Sequence, residues 1–214
     1  VGINAAGNVT LGAKQSTQTQ QSNQNYTETQ AYDNSASGSD IYESGTVVIN
    51  SRQSSSTTNT TSVGTTVDSA EGSVAIVAGK QLGITGGAIT AGKDVVLAGA
   101  DVNIQAAKKT STSTNLHTTT VDGRELTRHA ATSSSESYSG GTVSAGGKVA
   151  IIADGDASQG SGNVQLAGSK IEGTQGIGIS ATGNVDLQAL QANNSTASDG
   201  YNTGLFSQST DSVG

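Results

Sequence analysis

The sequence predicts an all-β chain: a parallel β-helix, or β-solenoid, with protruding polar β-hairpins. Three observations carry that expectation. A phrase of Gly, a polar residue and alternating aliphatics recurs along the 214 residues. Where copies run uninterrupted their spacing is steady, with Gly72 and Gly92 20 positions apart and Gly162 and Gly183 21 apart, a period typical of solenoids. Long tracts of Ser, Thr, Gln and Asn separate the phrases.

The phrase reads Gly7-Asn8-Val9-Thr10-Leu11, Gly72-Ser73-Val74-Ala75-Ile76, Gly147-Lys148-Val149-Ala150-Ile151, Gly162-Asn163-Val164-Gln165-Leu166 and Gly183-Asn184-Val185-Asp186-Leu187. Within one stretch the aliphatics fall at Val74/Ile76, Leu82/Ile84, Ile89, Val95/Leu97 and Val102/Ile104. Pairs at period two, in groups about seven residues apart, predict three short strands per coil. Glycines between the groups suit corners, where the backbone takes angles other residues avoid. Five or six coils stacked ~4.8 Å apart would bury the Val, Ile, Leu and Ala rows and reach about 25 Å. Helix is disfavoured because the aliphatics lack i, i+3, i+4 spacing and Gly, Ser, Thr and β-branched residues are poor helix formers.

Composition bounds the function. The chain has 29 Gly, no Pro, Cys, Met or Trp, and 3% aromatic residues, too few large side chains for an ordinary mixed α/β enzyme core. Ser, Thr, Asn and Gln supply 87 positions while charged residues make up only 13%, so the polarity is neutral and charge-driven disorder fits poorly. A net charge of -7 opposes binding to phosphate backbones, so nucleic acid is not an expected partner. No apolar run reaches the ~18 residues of a membrane span, and without Cys no disulfide or thiolate metal site holds the fold.

The domain expectation is a single β-solenoid segment, 1–214, interrupted by polar excursions at about 14–40, 51–70, 106–140 and 190–213. Their Thr content and lack of Pro favour extended pairing over flexible linker. The best-marked excursion runs from Lys108 to Tyr138, with Asp122-Gly123 as a two-residue hairpin turn. That turn makes Thr120 face Glu125, Leu116 face His129 and His117 face Arg128.

Candidate sites are few. The same register puts His117 and His129, the two histidines, on opposite faces of the hairpin, against a metal or acid-base pair. Asp154-Gly155-Asp156-Ala157-Ser158 resembles the start of a calcium loop, but Gln159 and Gln165 stand at the sixth and twelfth positions, where the loop needs Gly and Glu. No Gly-x-Ser-x-Gly elbow appears. One period back from Asp94 lies Val74, and from Asp186 lies Gln165, so no acid is reinforced at coil spacing for paired acid-base chemistry. The tyrosines lie in or beside the polar tracts, where such rings serve as adaptable contact surface or cover hairpin necks. The candidate recognition residues are Tyr26, Tyr32, Tyr42, His117, Arg124, Arg128 and Tyr138. No catalytic residue, cofactor or metal is expected.

The run Gly92-Lys93-Asp94-Val95-Val96-Leu97-Ala98-Gly99-Ala100-Asp101-Val102-Asn103-Ile104-Gln105-Ala106 resembles the haemagglutinin repeats of filamentous haemagglutinin-like exoproteins. Its continuation into Lys108-Lys109-Thr110-Ser111-Thr112-Ser113-Thr114 resembles the second, distal class of these repeats, found in contact-dependent growth-inhibition exoproteins. The resemblance covers essentially the whole chain. It implies a right-handed β-helical filament within a large Gram-negative surface protein, exported by two-partner secretion through an outer-membrane transporter. Adhesion or toxin delivery at a target-cell receptor or outer membrane would then be the function of the parent protein. A chain free of Cys suits passage unfolded through a narrow pore. The rival readings are a dedicated adhesin module binding a receptor or glycan, a β-helical polysaccharide-cleaving enzyme, and a functional amyloid built on Gln/Asn-rich strands.

Overall fold

In the computed structural model, which describes residues 1–34, 43–203 and 208–213, every Gly-polar-aliphatic phrase opens a short strand, and the strands wind into five coils. The first coil comprises β1 (Gly2–Ala5), β2 (Val9–Leu11) and, after a hairpin of β3 (Lys14–Asn34) and β4 (Glu43–Val63), β5 (Thr66–Ser69). The second runs β6 (Val74–Ala78), β7 (Gln81–Thr85) and β8 (Ala88–Ala91). The third has β9 (Val95–Gly99) and β10 (Asp101–Gln105), a hairpin of β11 (Ala107–Val121) and β12 (Arg124–Ser139), then β13 (Thr142–Ala145). The fourth has β14 (Val149–Ala153), β15 (Val164–Ala167) and β16 (Lys170–Gly173). The fifth contributes β17 (Ile177–Ala181) and β18 (Val185–Gln188) before the strands β19 (Asn194–Thr203) and β20 (Gln208–Val213).

Corresponding strands of successive coils pair in parallel, giving the sheets β1-β6-β9-β14-β17, β2-β7-β10-β15-β18 and β5-β8-β13-β16. The chain is thus a parallel β-helix, as the periodicity predicts. The other six strands form one sheet, β20-β19-β12-β11-β4-β3. The chain accordingly divides into a solenoid unit, 1–16, 60–110 and 136–192, and a hairpin-sheet unit, 17–59, 111–135 and 193–214.

Period-two alternation turns one side of each solenoid strand inward, and like residues stack from coil to coil. Ile76, Leu97, Ile151 and Ile179 form one row, and Ile84, Ile104, Leu166 and Leu187 another. Leu97 and Ile104 in the central coil are fully buried, while Leu187 in the fifth is 66% exposed. Burying each such side chain contributes about 1.5–3 kcal/mol, which lets small aliphatics replace the missing aromatics.

Five of the polar residues that precede a strand's first valine have a task of their own. Asn8 Oδ1 accepts from the Gln81 backbone N–H at 3.1 Å, Asp101 Oδ1 from that of Asn163 at 2.9 Å, and Asn163 Oδ1 from that of Asn184 at 3.0 Å. At another corner Ser73 Oγ accepts from the N–H of Asp94 at 3.3 Å, and Asp94 Oδ1 from that of Lys148 at 2.8 Å. Each side chain satisfies a backbone donor one coil on, where the turn interrupts the ladder. Asp94 therefore stacks on Ser73, not on Val74: Val74 pairs with Val95, a step of one residue more than the 20 expected from Gly72 and Gly92. Asp94→Ala is expected to lower stability by roughly 0.5–1.5 kcal/mol, read as a shift of the urea midpoint.

The hairpins leave only the first, third and fifth coils, always between the second-sheet strand and the place of the third-sheet strand. The second and fourth coils close there at Gly86-Gly87 and Gly168-Ser169, with Gly86 and Gly168 at φ 63° and 58°. Successive hairpins join edge to edge in one ladder, β4 beside β11 and β12 beside β19. Of the tracts read as separate interruptions at 14–40 and 51–70, the described residues 14–34 and 51–63 lie on the two arms of one hairpin, and Thr66–Ser69 already belongs to the solenoid. Val47, Val48 and Ile49 accordingly lie on the arm β4.

Candidate functional site

The hairpin sheet has few aliphatics and none in the buried core cluster, so side-chain hydrogen bonds and β-propensity hold it together. Between β3 and β4, Thr27 Oγ1 donates to Asn50 Oδ1 at 2.8 Å and Arg52 Nε to Asn25 Oδ1 at 3.2 Å. Between β4 and β11, Ser111 Oγ donates to Asn59 Oδ1 at 2.6 Å, and Thr57 and Ser113 hydroxyls lie 3.3 Å apart. β12 pairs antiparallel with β19, Arg128 facing Tyr201 and His129 facing Gly200. A Cβ on Gly200 would lie 2.5 Å from His129 Nδ1, so the imidazole covers this glycine as an aromatic covers a gap in a sheet.

The Asp122-Gly123 turn forms as expected. Both residues have positive φ, 48° and 79°, and β11 ends at Val121 while β12 begins at Arg124, the spacing the expected register requires. Asp122 is the one non-glycine at positive φ among the described residues. Its carboxylate Oδ1 accepts from the Val48 N–H at 2.9 Å and its own N–H donates to the Val48 carbonyl at 2.9 Å, tying the tip to β4.

The candidate recognition residues are dispersed over these strands. Tyr26 on β3 is 62% exposed. His117 on β11, within 3.5 Å of the Thr119 hydroxyl, is exposed, as are Arg124 and Arg128 on β12. Tyr32 lies on the backbone of β3 with its side chain outside the described atoms, and Tyr42 lies outside the described residues. Tyr138 belongs to the solenoid unit: half-buried, it lines a concavity with Ser62, Gln105 and Lys108, close to the Lys108–Glu136 ion pair. The hydrogen bond from Lys108 to Glu136 raises the pKa of that ammonium.

The hairpin sheet carries a cleft of about 500 Å³ that composition does not reveal. β3 lines it with Asn25, Tyr26 and Thr27, β4 with Asn50, Ser51 and Arg52, β11 with Thr118 and Thr120, and β12 with Glu125. Tyr201 OH donates to Glu125 Oε1, and this bond to the carboxylate raises the phenol's pKa, with burial and the Glu125 charge acting the same way. Arg52, Glu125 and Tyr201 were not singled out as recognition residues by the sequence. The register of four strands was the signal needed to find them, and local pattern supplies it for only one hairpin.

The acidic residues of the coils serve structure. Asp156 caps a short 3₁₀ turn at Ala157–Gln159, accepting from Ser158 N–H at 2.9 Å and Ser158 Oγ at 2.6 Å. These hydrogen bonds, the side-chain one first, lower its pKa. Asp186 lies beside Gln165 of the preceding coil and accepts from Gln188 Nε2 at 2.7 Å.

A family described as hemagglutinin repeat matches the chain twice, over residues 48–123 and 123–210. The two matches meet at Gly123, the tip of the central hairpin. The first spans β5 to β10 and the second β13 to β18, each with a hairpin arm at either end, so one sequence repeat is two coils plus one hairpin's worth of arms. No curated protein and no solved structure matches the chain.

Proposed function

The chain belongs to the hemagglutinin repeat family, whose members are non-enzymatic filament and adhesin proteins, and from that premise we propose that it is a filament segment of a secreted, cell-surface exoprotein whose hairpin sheet engages the target cell. The observation that carries this reading is the alternation of coils. The second and fourth coils close at a glycine corner with no hairpin, so coil closure does not require one. Long arms emerge from the other coils nonetheless, and Tyr26, His117, Arg124 and Arg128 stand exposed on them. Such a surface adds contact area without disturbing the stacked core. Right-handed winding, export from a Gram-negative cell by an outer-membrane two-partner-secretion transporter, and a part in effector delivery for contact-dependent growth inhibition complete the proposal. The resemblance of the run from Lys108 to Thr114 to the distal repeat class and the absence of Cys support them.

Binding of the fluorescently labelled chain to intact Gram-negative bacteria and to epithelial cells tests the reading. Excising Lys108 to Tyr138 would remove the two central strands of the sheet, so point substitutions are the better control. Saturable binding that weakens about tenfold in Tyr26→Ser/Arg128→Ser is the expected result, since a few exposed aromatic and Arg anchors dominate most interfaces. Preference for bacteria supports delivery, and preference for epithelial cells supports an adhesin proper. A folded chain that binds neither cell type would remove the engagement role and leave a purely structural filament.

A further inference from the structure

The outer face of the first solenoid sheet, β1-β6-β9-β14-β17, is apolar where the other two are polar. Outward columns on the second and third sheets carry Asn103, Gln165 and Asp186, and Thr90, Ser144 and Glu172. On the first sheet the outward positions are Ala75 and Val77 in β6, Val96 and Ala98 in β9, and Ala150 and Ile152 in β14. None of the six is buried, and Val77 and Ile152 are exposed. Strands that are apolar on both faces belong to sheets covered on both faces. The hairpins leave at the corner between the second and third sheets, so no hairpin root crosses this face.

The six residues alternate in size in both directions, and that pattern complements itself. From coil to coil one column reads Ala75, Val96, Ala150 and the other Val77, Ala98, Ile152, ending in Gly2 and Asn4 at the first coil and in Gly178 and Ser180 at the fifth. A second copy turned over about a two-fold axis along the coil stack sets Val77 on Ala75, Val96 on Ala98 and Ile152 on Ala150, so each larger side chain meets a smaller one. With the axis along the strands instead, Val77 would meet Ile152 and Ala75 would meet Ala150, which leaves ridges on ridges and gaps on gaps. The rim agrees in charge. Lys148 lies three positions before Ile151, the centre of its strand, and Asp154 three after, so the same axis brings Lys148 beside the partner's Asp154. In the second coil it brings Lys80 beside the partner's Glu71. All four side chains are exposed and without an ion-pair partner among the described residues. A neutral centre inside a complementary charged rim favours this partner and this orientation. Five strands ~4.8 Å apart and five residues of ~3.3 Å make a face of about 24 by 16 Å, roughly 400 Å² per copy. That is about half the ~800 Å² per partner of a standard interface, the size of a weak, reversible association.

We infer that the outer face of the first sheet is a self-association surface, on which two copies of this chain pack side by side with their coil stacks pointing the same way. The inference goes beyond the cell-engagement reading and holds or fails independently of it. Sedimentation equilibrium of the whole chain from about 10 µM to about 1 mM, a span that weak complexes populate, tests it. The weight-average mass is expected to rise above the monomer's with concentration. Val96→Lys, which puts an ammonium at the centre of the face, should hold the chain monomeric, while Leu187→Lys at the open end of the fifth coil should leave the association unchanged. Circular dichroism and the urea midpoint establish that both variants are folded. The chain has no Cys, so an oxidised mixture of Lys148→Cys and Asp154→Cys chains reads the orientation, since a disulfide forms only where the Cα atoms approach within ~7 Å. Mass spectrometry should find the mixed dimer in excess of either homodimer. A mass independent of concentration, or association that persists in folded Val96→Lys, overturns the inference. Association lost in Leu187→Lys but kept in Val96→Lys would assign the contact to the coil ends, and a mixed disulfide no more abundant than the homodimers would overturn the side-by-side arrangement.

Discussion

Leu97→Ala is expected to lower the unfolding free energy by about 2–5 kcal/mol, the range for deleting a large aliphatic from a core that cannot collapse around the gap. Leu97 is fully buried, with Ile76 stacked on one side and Ile151 on the other, and both neighbours sit in paired parallel strands. Relaxation would require bending two ladders, so most of the cavity should remain. The comparison residue is Leu187, at the same kind of inward position but 66% exposed, where truncation to Ala should cost under ~1 kcal/mol. Urea unfolding of the two variants reads the difference. Equal losses would mean that the aliphatic rows do not stack as described.

Gly140→Ala is expected to be of similar size for a different reason. Gly140 closes the return of the central hairpin into the solenoid at φ 82°, and a Cβ there would lie 2.1 Å from the Gly86 carbonyl oxygen. Positive φ alone costs an L-residue about 1–2 kcal/mol, and here the obstacle is backbone, so the corner must also move. A total loss of at least ~2 kcal/mol follows from adding that displacement to the backbone strain. Gly123→Ala isolates the first part, because Gly123 has a similar φ of 79° but nothing within 4 Å of a Cβ. Thermal unfolding should place Gly123→Ala about 1–2 kcal/mol below the parent chain and Gly140→Ala clearly lower. Two equal shifts would show that no close approach exists at the corner.

The residues that were legible in advance share one property: their structure follows from neighbours close in the chain. Val95, Leu97, Val102 and Ile104 announce inward-facing strands by period two, and Asp122-Gly123 announces a turn by its conformational preferences. The corner role of Asp94 was hidden by a single residue of offset, because the spacing between glycines is not the spacing between paired strands. That β3 and β4 are arms of one hairpin was also hidden, since Val47, Val48 and Ile49 imitate a coil phrase.

By itself, the sequence determined that this protein is a solenoid of short parallel strands with aliphatic rows inside, polar arms outside and a tight turn at Gly123. Repeat spacing and alternation are local quantities, and a buried face punishes a register slip of one residue by exposing every apolar side chain. Only the tertiary structure decided which arms pair, that they form one sheet, and that Arg52, Thr120 and Glu125 share a cleft with Tyr201 bonded to its rim. Those strands are polar on both faces, so no hydrophobic pattern specifies their partners. Their contacts, such as Tyr201 with Glu125, join residues 76 positions apart, and the order in which the coils present the arms sets them.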